Sequence, residues 1–72
     1  MREKIIALIE EVLMVDEGTI VETTKIDEVE EWDSLAHVLI IGELEERLGI
    51  VIPLDEAIEI VGVEDIFVKA GV

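Results

Sequence analysis

Cysteine is absent from the 72 residues, so neither a disulfide nor a thiolate metal site can support the fold. Aromatic residues are almost as scarce. Trp32 and Phe67 are the only two, so a hydrophobic content of 51% rests on Ile, Val and Leu. Histidine occurs once, at His37, and there is no EF-hand loop, so no metal site is expected. A glycine-rich phosphate loop is also missing. No apolar run approaches the roughly 18 residues of a membrane span. Glu10 and Glu11 cut the first apolar run short and no small-residue cleavage site follows. No secretory signal is therefore expected; the expectation is a soluble, cytoplasmic chain with no membrane partner.

Basic residues are few, with five against nineteen acidic ones and a net charge of −14. Such a surface repels nucleic acid and anionic lipid and favours partners with basic patches. The length fits one domain spanning residues 1–72. A chain this short buries only about 60% of the surface its unfolded form exposes. A cleft deep enough to enclose a substrate is not expected in so thin a core, and the chain is read as a non-enzyme.

What is present is helical periodicity. Ile5, Leu8, Ile9 and Val12 follow the i, i+3, i+4, i+7 spacing of an amphipathic helix from Arg2 to about Met14, with Glu3, Glu10 and Glu11 off the stripe. Asp16-Glu17-Gly18 supplies a stop, Gly18 being suited to a left-handed conformation. Thr19 to Asp33 lacks periodicity and predicts a long loop pinned by Ile20, Val21, Ile26 and Val29, with a hairpin through Thr19-Ile20-Val21 as the rival. Ser34 to Leu48 predicts a second helix with a broad apolar face of Leu35, Val38, Leu39, Ile41, Gly42, Leu44 and Leu48. Asp33 and Ser34 can cap its start, and Gly49 ends it behind Arg47. After Ile52-Pro53 come a short helical segment, about Leu54 to Ile60, and a last helix, about Val63 to Ala70, turning Ile66, Phe67 and Ala70 inward. The expectation is an all-α fold, a small four-helix bundle of three main helices and one short one.

Two arrangements bear on chemistry. Ser34 and His37 lie three apart and share a helix face, but no third orienting group or oxyanion site accompanies them, and a solitary surface histidine is the commoner case. The second is Trp32-Asp33-Ser34-Leu35. If Asp33 caps the helix, the hydroxyl of Ser34 stays free, and a phosphodiester placed there would sit at the positive end of the helix dipole. Taken alone, the tetrapeptide also reads as an ordinary helix start.

Trp32-Asp33-Ser34-Leu35 at mid-chain, then an amphipathic helix ending Leu44-Glu45-Glu46-Arg47-Leu48-Gly49-Ile50, then Ile52-Pro53, resembles the phosphopantetheine-dependent acyl carrier protein family. The resemblance implies that Ser34 receives a covalent 4′-phosphopantetheine from coenzyme A, attached by a phosphopantetheinyl transferase. The thiol of that arm would carry an acyl or aminoacyl group as a thioester. Asp33 and Leu35 match positions flanking the arm. Leu35, Val38, Gly42, Glu45 and Glu46 match positions that dock partner enzymes: a loading ligase, synthase or transferase with a basic patch. For Leu35 plain core packing is the alternative, and for Glu45 and Glu46 a merely solvated face. Glu31 stands where many members have glycine, and Ala36, His37 and Leu39 depart from the fatty-acid carriers. Trp32 and Ala36 lean toward carriers of specialised metabolism or of amino acids; fatty acid, polyketide and nonribosomal peptide biosynthesis all stay open. The expectation is a free-standing, monomeric carrier. Its alternative is an unmodified acidic adaptor or inhibitor of the same fold, bound to a basic partner.

Overall fold

The computed structural model describes residues 1–72. Four α-helices follow one another: α1 Arg2–Leu13, α2 Ser34–Leu48, α3 Leu54–Ala57 and α4 Val63–Ala70, with a 3-10 turn at Ile26–Glu28 in the long loop. There are no strands, so the all-α expectation holds. The rival hairpin does not form; a single antiparallel bridge joins Lys25 to Gly62. None of the helices is long and apolar enough to cross a membrane.

The core takes Ile5, Leu8, Ile9 and Leu13 from α1, Ile40, Ile41 and Leu44 from α2, and Val63, Ile66 and Phe67 from α4. Ile20, Trp32, Ile52 and Ile60 close it from the connecting segments. The helical contributions follow from 3.6-residue periodicity, with one correction at α2. The apolar face expected there divides into two stripes. Ile40, Ile41 and Leu44 are buried with Ala36 and Leu48 packed beside them, whereas Leu35, Val38, Leu39 and Gly42 point outward. Ile40, fully buried, belongs to the inner stripe and was not among the residues the periodicity picked out.

α1 ends where its periodicity implies, at Leu13, but Met14 rather than Gly18 supplies the left-handed residue that closes it. Met14 adopts a left-handed conformation (φ 60°, ψ 41°), and its N–H bonds the carbonyls of Glu10 and Glu11. A side chain there costs about 1–2 kcal/mol relative to glycine's freedom. Gly18 is left-handed too, at φ 93°, but it serves the loop rather than the helix end.

Glu10 is the other correction. It lies off the apolar stripe yet is only 7% exposed. Its Oε2 accepts from the backbone N–H of Gly18 at 2.8 Å and of Ile20 at 3.0 Å. The carboxylate thus satisfies donors that the loop folds inward, which is how a charged group is buried without large cost.

The far end of the loop is tied to the segment before α4. Ile26 N–H donates to the Val61 carbonyl at 2.9 Å, and Val63 N–H to the Thr24 carbonyl at 3.0 Å. A Cβ on Gly62 would lie 2.8 Å from the Thr24 oxygen, so close approach rather than backbone angle selects glycine here. Beyond these ties, Ile26 lines one groove with Trp32, Asp33, Ser34 and Ile58.

Candidate functional site

α2 begins at Ser34 because Asp33, extended at φ −94° and ψ −174°, turns its carboxylate back onto the helix. Asp33 Oδ1 accepts from Ala36 N–H at 2.8 Å, and the Asp33 carbonyl accepts from His37 N–H at 2.9 Å. Asp33 therefore does the capping. Ser34 is exposed, and its hydroxyl has no hydrogen bond within the protein. The N–H groups of Ser34 and Leu35 have no backbone partner either. A phosphodiester on Ser34 fits this place: donors face it and the helix dipole favours its charge.

Beside Ser34 runs an open groove of about 500 Å³, walled by Ile26, Trp32, Val38 and Ile58 with Asp33 and His37 at its edge. A second groove of about 660 Å³ continues past Ile26 and Trp32 to Val29, Ile60 and Val61. The walls are apolar while Lys25, Asp27, Glu30 and Asp33 supply charge along the margin. Neither is an enclosed cleft.

The outer stripe of α2 brings the expected docking residues together. Leu35 is 69% exposed, with Val38 and Leu39 about half exposed on the same face. Burial thus rules out core packing for Leu35, whose side chain stands one residue from Ser34. Gly42 lies on this face with open space where its Cβ would project. Glu45 and Glu46 follow, both exposed and without an ion-pair partner. Glu43, by contrast, is engaged by Arg47 at 2.7 Å, and Arg47 reaches on to Glu11 of α1, also at 2.7 Å. The hydrogen bonds from Glu11 and then Glu43 raise the Arg47 pKa further above its ordinary value. α2 is therefore neutralised on its α1 side and left acidic on its outer side. Across the groove, Ile58 and Val61 add exposed apolar surface that the periodicity did not assign to the site.

His37 departs from the expectation of a solitary surface histidine. It is half-buried, and both ring nitrogens are bonded: Nδ1 to Trp32 Nε1–H at 3.0 Å and Nε2 to the Ala57 carbonyl at 2.9 Å. Neither nitrogen is available to take a proton from Ser34, which removes the Ser–His pairing. One signal for this arrangement was present in the sequence: a buried indole N–H needs an acceptor, and His37 is the only imidazole. No three His, Asp or Glu side chains converge as a metal-binding group.

The family model described as "Phosphopantetheine attachment site" matches residues 3–66. Among solved structures, the solution NMR structure of the holo acyl carrier protein from Geobacter metallireducens superposes with a TM-score of 0.84. The match covers 97% of this chain and 80% of that one, at 23% identity, and shows the shared fold. A search of curated proteins finds no match. With the helix order, the capped and exposed serine and a family match over most of its length, the chain belongs to the phosphopantetheine attachment-site family and is a carrier-protein domain for covalently held 4′-phosphopantetheine.

Proposed function

We propose that Ser34 is the attachment residue and that residues 1–72 form one carrier domain. The observation that carries this is the division of labour at the start of α2, where Asp33 caps the helix at 2.8 Å and leaves the Ser34 hydroxyl exposed and unbonded. When bound, the prosthetic arm supplies a thiol that holds cargo as a thioester. The chain's own part is to present the hydroxyl, receive the phosphodiester on the Ser34 and Leu35 N–H groups, and offer a docking face. Both His37 nitrogens being engaged, the base that deprotonates Ser34 has to come from the phosphopantetheinyl transferase. The domain itself performs no catalysis.

Leu35, Val38 and Gly42 form the contact patch beside the arm, and Glu45 and Glu46 steer enzymes with basic docking patches, including the transferase and the ligase, synthase or transferase that loads the cargo. The unpaired acidic face supports this, since summed charge accelerates encounter more than single exposed pairs strengthen binding. The chain acts as a cytoplasmic monomer. Incubation with coenzyme A and a broad-specificity transferase is expected to add one phosphopantetheine by intact mass, and none to Ser34→Ala. Modification persisting in that variant overturns Ser34. Refusal by the parent chain favours the unmodified adaptor.

A further inference from the structure

Trp32 is 3% exposed, and its indole Nε1–H, a donor only, points at His37 Nδ1 across 3.0 Å. The Ala57 carbonyl, an acceptor only, lies 2.9 Å from His37 Nε2. These two partners leave one protonation state that satisfies both contacts: neutral His37 with its proton on Nε2. Trp32 stands on the loop two residues before Ser34. His37 stands on α2 one turn after it, and Ala57 ends α3. A single imidazole therefore ties three elements around the attachment residue. Adding a proton to Nδ1 would set N–H against N–H and break the Trp32 contact, while the Nε2–H bond to Ala57 survives.

The charges around the ring are few. At the start of α2, Asp33 shares its groove, with Oδ1 already bonded to Ala36 N–H. From the loop, Lys25, Asp27 and Glu30 line the adjoining groove behind Trp32. On and just after α3, Glu56 and Glu59 are paired with Lys69 of α4, and Asp55 is exposed. None of them replaces the lone pair that Trp32 loses.

We propose that His37 is a positioning residue for the Ser34 site: its Nε2–H form clamps Trp32 and Ala57 onto α2, and protonation of Nδ1 releases the Trp32 loop. The positioning half rests on Ser34 being the attachment residue; the clamp itself does not.

The experiment is ¹⁵N NMR on the full chain, which has one indole and one imidazole, between pH 7.5 and 5.5, within the range where histidines change charge. At pH 7.5 the ring nitrogens should report the Nε2–H tautomer and the indole N–H should be protected. At pH 5.5, after correction for intrinsic exchange, the indole should exchange roughly tenfold faster, the equivalent of about one hydrogen bond. His37→Gln offers a carbonyl to Trp32 and an amide to Ala57, so its indole should stay protected at both values. His37→Phe should lose protection at both. Transferase modification of the parent, measured relative to His37→Gln, should match at pH 7.5 and fall about threefold or more at pH 5.5. An Nδ1–H tautomer, or an indole indifferent to pH, overturns the clamp. Equal relative rates at both pH values with the NMR result intact overturn positioning and leave only the clamp. If neither protein is modified at any pH, Ser34 fails as the attachment residue and positioning with it, while the NMR result stands by itself.

Discussion

Replacing Glu10 tests whether a buried carboxylate organises the long loop. Both of its hydrogen bonds go to one oxygen, Oε2, from Gly18 N–H and Ile20 N–H. In Glu10→Ala, water can reach Gly18, which is exposed, but not Ile20, which is 2% exposed. Charge-assisted hydrogen bonds are worth about 1.5–3 kcal/mol, and a buried donor left unpaired costs about 1–3 kcal/mol. Removing one negative charge from an acidic surface returns a few tenths. The expected loss is about 3 kcal/mol, against a total of roughly 4–11 kcal/mol for a domain this size. At about 4–8 °C per kcal/mol, Tm should fall by about 12–24 °C. Glu10→Gln keeps one oxygen able to accept both bonds and forfeits only the charge, so about 1 kcal/mol and about 4–8 °C should be lost. Circular dichroism melts give Tm, and urea titration followed by Trp32 fluorescence gives the free energy. An alanine variant melting within about 3 °C of the parent, or a glutamine variant as damaged as alanine, would refute the reasoning.

Gly62→Ala should destabilise the fold by about 1–3 kcal/mol in urea titration, because its Cβ would meet the Thr24 oxygen at 2.8 Å; an unchanged midpoint would show that the bridge shifts freely. Met14→Gly should stabilise by about 1 kcal/mol, since Met14 is 90% exposed and left-handed, so that little packing is lost when its strain is relieved. Leu35→Ala should lower the efficiency of transferase modification at every salt concentration, by up to about 2 kcal/mol or some thirtyfold, with the circular dichroism spectrum retained. Glu45→Lys with Glu46→Lys should slow modification chiefly at low salt, with the deficit shrinking as salt rises; a salt-independent deficit would count against steering.

Much of the fold was legible in the chain because helices announce themselves locally. The 5, 8, 9 spacing, Asp33 before the second helix and Gly49 after it act through neighbours three or four residues away, so α1 and α2 could be placed without knowing what they pack against. The candidate site was legible for the same reason, since a cap and a free hydroxyl are first-turn properties. Spacing could not say which apolar stripe of α2 faces α1: both 36/40/41/44/48 and 35/38/39/42 satisfy helical periodicity, and only packing decided that Ile40 goes in and Leu35 stays out. Glu10 and His37 were misjudged alike because their partners are distant in sequence or supplied by backbone. Gly18 and Ile20 present N–H groups, and Ala57 a carbonyl, that no side-chain pattern records. Short-range capping and periodicity set the elements, whereas the satisfaction of buried polar groups is a property of the assembled fold.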